Sequence, residues 1–211
     1  MTEFNEKQLQ IIDTAERLFA RKGFDGTSVR DIAEEAGINV AMISYYFGSK
    51  EKLLEAIFNH RIQSTFLHLE NLVNDSKKDP LQKIDTLVDH YTEKFFNNEC
   101  FYKLMQREQF KHLENADLED IIYKSKKRNF DLVSQLVADG QKKGVFRKKV
   151  DVSLLVTTLI GTSNQIVFSQ GFYKKVNGLD AMPDDEFQQL LKKKLRQHLK
   201  TMLKAYLTNE Q

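Results

Sequence analysis

Apolar residues recur along this chain at helical spacing, and the polar punctuation between them divides it into a short first part and a long second one. Leu9, Ile12, Ala15, Leu18 and Phe19 keep an i, i+3, i+4 rhythm, which predicts a first helix with one buried stripe. Gly23 ends it, with Arg21 and Lys22 in the last turn, where cations meet the negative end of the helix dipole. Thr27 and Ser28 stand ahead of Val29, Ile32, Ala33 and Ala36, and Asp31 is placed to reach back to the cap. A second short helix therefore starts there, and Gly37 stops it. Asn39 caps a third, carried by Val40, Ile43 and Phe47 and closed by Gly48. Ser49 opens a fourth at once, with Glu51 in its first turn and Leu53, Leu54, Ile57 and Phe58 inward. Its pattern runs on through Ile62, Phe66, Leu69 and Val73, a rod of roughly 35 Å suited to transmitting motion.

A polar run from Asn74 to Asp79 breaks that helix, and Pro80 suits the first turn of the next. Ile84, Leu87, Val88, Tyr91 and Phe95 share one face of a helix reaching Phe96, and Phe101, Leu104, Met105 and Phe110 mark another from about Glu99 to His112. A long helix spans Leu118 to Lys143 and stops at Gly144, where Val145 and Phe146 form a connector. Asp151 or Ser153 opens the next, and a last one covers Asp184 to Tyr206 with Phe187, Leu190, Leu191, Leu195, Leu199, Met202 and Leu203. Two prolines and nine glycines favour long helices over a turn-rich β fold. The pattern reads as all-α, with a three-helix, helix-turn-helix head over residues 1–58 and a helical body over residues 59–211.

Composition narrows the function classes. With 41% hydrophobic and 29% charged residues, the 211-residue chain is an ordinary globular sequence. The single Cys100 rules out an internal disulfide or a Cys-rich zinc site and fits a reducing compartment. No stretch approaches the ~18 to 20 uncharged apolar residues of a membrane span, and MTEFNEKQ lacks the basic-then-apolar order of a signal peptide, so the expected location is the cytoplasm. His60, His68, His90, His112 and His198 keep no metal or catalytic spacing, and Glu108 with His112 makes only one i, i+4 pair. There is no Gly-rich phosphate loop and no nucleophile elbow. No catalytic residue, metal or cofactor is expected, and a binding protein is favoured over an enzyme.

Phe19, Gly23, Phe24, Thr27, Ile32, Ala33, Ala36, Gly37, Ile38, Tyr46, Phe47, Lys50 and Leu53 stand in the order of one known domain. From about Gln10 to Phe58 the chain resembles the N-terminal domain of the TetR family of bacterial transcriptional repressors. The resemblance implies a homodimeric, all-helical regulator whose head reads a double-stranded operator and whose body binds a small molecule. It places Asn39, Val40, Ala41, Ser44 and Tyr45 in the major groove, with Thr27, Tyr45 and Tyr46 donating hydroxyl hydrogen bonds to phosphates and Lys50 adding charge beside a helix N-terminus. Tyr46 is balanced between DNA and packing, and Arg30 reads a base or holds the backbone. Val40 and Ala41 depart from the lysine and glycine that many relatives carry, which leaves apolar groups suited to thymine methyls. The missing lysine keeps open the alternative of a helical interaction module that has lost DNA binding. The head is also net acidic, ten acids against seven bases over residues 1–58, so a shallow salt dependence of DNA binding is expected.

The segment Leu154 to Phe172 is apolar nearly all round and must be covered on several sides. Under the resemblance the second cover is a partner subunit, in a four-helix interface built on Leu155, Leu159, Leu191, Leu195, Leu199 and Met202. The alternative is the central helix of a monomeric bundle. Lys192, Lys193, Lys194, Arg196, Lys200 and Lys204 read as a solvated face. The pocket the resemblance implies draws its candidates from Phe66, Tyr91, Phe95, Phe101, Met105, Phe130 and Phe168, with Glu108, Asn164 and Gln165 as polar anchors. Fifteen phenylalanines and no tryptophan point to an apolar or amphipathic effector, which the resemblance implies releases the protein from a palindromic operator.

Overall fold

Side-chain caps mark where several of the helices begin. In this computed structural model, which describes residues 4–110 and 116–208, Asn5 opens α1 (Glu6–Lys22) through a reciprocal box with Gln8. Ser28 and Asp31 form the same box ahead of α2 (Val29–Ala36), and α3 (Ala41–Phe47) and α4 (Lys50–Asn74) follow. Asp79 and Gln82 box the start of α5 (Pro80–Asn97), with Pro80 in its first turn as the sequence predicts. Then come α6 (Glu99–Phe110), α7 (Ala116–Lys142), α8 (Val152–Phe168), α9 (Gln170–Val176) and α10 (Asp184–Thr208), with no strand among the described residues. His112, which closes the predicted sixth helix, lies outside the described residues.

The segment Leu154 to Phe172 is not one helix. It breaks at Ser169, where α8 and α9 meet at 74°. The Ser169 hydroxyl donates to the Gln165 carbonyl at 2.8 Å, a back-bond that competes with helix continuation.

The chain divides into two compact units, Met1–Thr65 with Cys100–Lys126, and Phe66–Glu99 with Lys127–Gln211. In the first, Ile11, Ile12, Leu18, Phe19, Ile32, Ile43 and Leu53 are fully enclosed, and Phe58 meets Phe101 of α6 edge-on at 5.1 Å. Thus α6, far along the chain, contributes to the core of the head. In the second unit α5 packs against α8 and α10, enclosing Leu87, Val88, Tyr91, Leu155, Leu159, Leu195 and Leu199.

The basic residues of α10 are not a solvated face. Lys192 reaches Glu93 at 3.0 Å, Lys200 reaches Asp89 at 2.7 Å, Lys204 reaches Asp85 at 2.7 Å, and Arg196 pairs with Glu93. These cations recur every four residues, as do the acids of α5, so two antiparallel helices present matching rows beside their apolar seam. Only Lys193 and Lys194 of the run are exposed. The pairs are about one third exposed, which limits each to roughly 0.3–1 kcal/mol. Replacing both Lys200 and Lys204 by alanine is expected to lower stability by about 1 kcal/mol at low salt and by less in ~1 M NaCl, as read from thermal unfolding.

The connector after α7 folds back on itself. Amides of Val145 and Phe146 both donate to the Gly140 carbonyl, at 3.0 and 3.1 Å, and the Phe146 ring lies buried against Gly140. The Arg147 amide then donates to the Leu207 carbonyl at 2.8 Å, and the Tyr206 hydroxyl accepts from the Asp151 amide at 3.0 Å.

Candidate nucleic-acid interface

The helix-turn-helix is assembled from caps and one left-handed residue. Ser28 Oγ accepts from the Asp31 amide at 3.1 Å, while the Asp31 carboxylate accepts from the Ser28 amide at 2.8 Å and pairs with Lys22 at 3.4 Å. The Ser28 hydroxyl, which also donates to the Asp31 carboxylate, and then the Ser28 amide hold the Asp31 carboxyl down to about 2. Gly37, at φ +63°, turns the chain, and the Ile38 amide closes the turn on the Ala33 carbonyl at 3.0 Å. Asn39 Oδ1 accepts from the Ala41 amide at 2.9 Å, so Asn39 steadies the entry to α3 although Val40 takes the cap position itself.

Helix α3 puts Ile43 inward and turns a continuous surface outward. Asn39, Val40, Ala41 and Ser44 are exposed, and Tyr45 is 83% exposed. Tyr46 is half-buried, edge-on to Tyr45 at 5.1 Å and to Phe47 at 6.4 Å. Phe47 is itself half-buried, tilted against Phe4 at 6.5 Å. Arg30 stands exposed in the first turn of α2.

Two expected phosphate contacts are directed inward instead. Thr27 is 1% exposed, and its hydroxyl donates to the Gly23 carbonyl at 2.8 Å. The Lys50 ammonium donates to the carbonyls of Phe24 and Thr27, at 3.0 and 3.1 Å, and sits 4.1 Å from the Phe24 ring. Both side chains build the α1–α2 turn, because its bent backbone leaves carbonyls that no helix satisfies.

Part of the head's negative charge is consumed internally. Arg61 binds Asp13 at 2.9 Å and Glu16 at 2.6 Å, Arg21 binds Glu35 at 3.2 Å, and Lys52 binds Glu55 at 2.9 Å. Burial raises the carboxyl pKa of Glu16 against the pull of Arg61.

The profile of bacterial regulatory proteins, tetR family, matches residues 11–57, and that of a tetracyclin repressor-like C-terminal domain matches residues 80–199. The chain belongs to the TetR family. Among TetR-type relatives, the regulator YerO of Bacillus subtilis (strain 168) is 28% identical over 167 residues, covering 78% of this chain and 57% of YerO, less than two thirds of its length. The transcriptional repressor KstR2 of Mycobacterium tuberculosis (strain CDC 1551 / Oshkosh) is 24% identical over 161 residues, covering 72% of this chain and 76% of KstR2. The structure of ketosteroid regulator KstR2 shares the fold at a TM-score of 0.74 and 21% identity, over 99% of this chain and 98% of that one. FadR from Bacillus subtilis, in complex with stearoyl-CoA, shares it at 0.67 and 21%, over 90% of this chain and 96% of that one. TetR-family proteins are regulators rather than enzymes; they bind operator DNA, act as dimers and respond to ligands, and this chain is one of them.

Five of the six interface residues expected from the sequence are already enclosed within one chain. Leu155, Leu159, Leu191, Leu195 and Leu199 are at most 5% exposed within a single chain, packed among α5, α8 and α10, and only Met202 is half-exposed. The outward stripe of α8 is Leu154, Thr157, Gly161 and Gln165, and that of α10 is Lys194, His198, Thr201 and Ala205. Between them lies a cleft of about 350 Å³, lined by Thr162, Ile166, Tyr173 and His198 among others.

The ligand candidates divide. Phe101, Met105 and Glu108 belong to the first unit, and Phe66, Tyr91, Phe95, Phe130, Asn164, Gln165 and Phe168 to the second. Gln165 is exposed, whereas Tyr91 and Phe95 are enclosed. The second unit buries polar atoms that the apolar pattern concealed: the hydroxyls of Tyr91, Thr92 and Ser163 and the Asn129 carbonyl oxygen have no hydrogen-bond partner among the described residues. Burial alone drives the Tyr91 phenol well above its ordinary range, so it stays a protonated donor. Thr92, Asn129 and Ser163 carry no signal in the sequence beyond their place on apolar stripes, where a small polar residue reads as packing. No group of three His, Cys, Asp or Glu gathers among the described residues, and no single helix there is long and apolar enough to cross a membrane.

Proposed function

We propose that the chain works in the cytoplasm as a dimeric repressor, holding a palindromic operator until an apolar or amphipathic effector with hydrogen-bonding oxygens releases it. DNA reading is assigned to residues 1–58, and dimerisation and effector binding to residues 59–211. The observation that carries the reading is the outward surface of α3, where Asn39, Val40, Ala41, Ser44 and the 83% exposed Tyr45 stand together on a helix braced from behind. Asn39 suits an adenine edge, Val40 and Ala41 suit thymine methyls, and Arg30 with the Tyr45 and Tyr46 hydroxyls suits phosphates. Effector chemistry is supported by the buried, unpartnered hydroxyls of Tyr91, Thr92 and Ser163 in the second unit, which offer hydrogen bonds to oxygen-bearing ligand atoms. The relatives point the same way, one named for a ketosteroid and one holding stearoyl-CoA. The outer stripes of α8 and α10 are assigned to the partner subunit.

Selection from a random DNA library supplies the operator, and fluorescence anisotropy then measures variants on it. Tyr45→Ala is expected to weaken operator binding by about tenfold with a melting temperature little changed, since the ring is exposed and meets Tyr46 edge-on. Lys50→Ala is expected to weaken binding and also lower the melting temperature, because its ammonium holds two turn carbonyls. Undiminished affinity in Tyr45→Ala would take that residue off the interface.

A further inference from the structure

The α1–α2 turn is held from two sides. From one, Lys50 of α4 grips the Phe24 and Thr27 carbonyls. From the other comes Arg107, in the last turn of α6 and distant in sequence. Its guanidinium donates to the Ala20 carbonyl at 3.4 Å, one of the terminal carbonyls of α1 that has no partner inside its own helix. A cation there also meets the negative end of the α1 dipole. Three guanidinium atoms lie 3.4, 3.4 and 3.7 Å from where a Cβ on Gly23 would stand, so the planar group covers this residue face-on. Gly23 caps α1 at φ +84°, a backbone conformation that favours glycine, and it is buried although Arg107 is exposed on its outer side.

The covered residue leads directly to the recognition elements. The Gly23 carbonyl accepts from the buried Thr27 hydroxyl at 2.8 Å, and Thr27 precedes Ser28, the cap that starts α2. Movement at Gly23 therefore displaces the beginning of α2, and with it the turn into α3.

We propose that Arg107 is a positioning residue for operator binding, seating the α1–α2 turn through Ala20 and Gly23 without touching DNA. This rests on the operator-binding reading above. Lysine is a poor substitute because an ammonium reaches a carbonyl but does not cover a residue with a plane.

The test uses the full-length dimer, the operator selected for the unaltered protein, anisotropy over a salt series, and thermal melting. Arg107→Ala is expected to raise the operator Kd by about tenfold, with the melting temperature little changed and the salt slope preserved, since no phosphate contact is lost. Arg107→Lys should recover only part of the affinity. Equal affinity in Arg107→Ala overturns the proposal, and so does a slope reduced by about 0.9, the mark of a direct phosphate contact. Full recovery by lysine overturns it too, by reducing Arg107 to a charge at a helix end. If the alanine variant fails to fold, the lysine variant decides alone, with wild-type affinity counting against. Failure of the unaltered protein to select any DNA sequence is a separate result, which removes the operator reading itself and this proposal with it.

Discussion

Gly140→Ala is expected to destabilise the protein by about 3 kcal/mol, seen as a fall in melting temperature of roughly 6–12 °C for a chain of this size. An added Cβ would stand 2.1 Å from Phe146 Cδ2 and 2.3 Å from Cε2, distances no side chain tolerates. The ring cannot withdraw, because it is 4% exposed and its own amide is bound to the Gly140 carbonyl. Relief would require unpicking the connector that also ties Arg147 to the end of α10. Gly161→Ala is the control with the opposite sign. A Cβ there meets nothing within 4 Å, so the change should stabilise the monomer by up to about 1 kcal/mol through lost freedom in the unfolded chain. Differential scanning calorimetry on the pair checks both, and equal melting temperatures would show that the Phe146 ring is not seated on Gly140.

Gly161→Glu is expected to break the dimer while leaving each subunit folded. Gly161 lies mid-helix on the exposed stripe of α8, so glutamate improves helix propensity yet sets a charge where the two-fold axis would bring its twin close. Sedimentation velocity should then show monomers at micromolar concentration. Operator affinity should fall by about a hundredfold or more, since one head reads only half of a palindrome. Leu155→Glu makes the comparison useful, because Leu155 is 1% exposed and a charge there should unfold the chain instead of dissociating it. A dimeric Gly161→Glu protein with intact operator binding would move the interface off the outer face of α8.

That contrast also shows where the sequence stopped being informative. The α8 segment is apolar on every side, and its spacing cannot say which stripe its own chain covers and which is left for a partner. The structure assigns Leu155 and Leu159 to the chain itself, through contacts with α5 that begin some sixty residues earlier in the sequence. Thr27 and Lys50 turn inward for a related reason. A hydroxyl or ammonium near a helix start suits a phosphate or a stranded carbonyl equally well, and only the path of the turn shows that the carbonyls of Gly23, Phe24 and Thr27 are nearer. What depended on neighbours within four residues was legible: the Ser28 and Asp31 box, the stop at Gly37, Pro80 in a first turn, and Asp151 as one of two caps offered for α8. The pairing of α10 cations with α5 acids links residues about a hundred apart, and no local pattern announces it.

The rows joining α5 to α10 behave like a screw thread. Buried residues on α10 fall at 187, 191, 195, 199, 203 and 207, and the paired cations at 192, 196, 200 and 204, so both rows repeat with the same four-residue step. A pattern of that kind fixes which side of α10 faces α5, but it tolerates sliding by one turn, about 6 Å, with most partners exchanged for equivalent ones. Position along the axis must then be set by contacts that do not repeat. The Arg147 amide on the Leu207 carbonyl and the Asp151 amide on the Tyr206 hydroxyl are of this kind, and they act as the stop at the end of the thread.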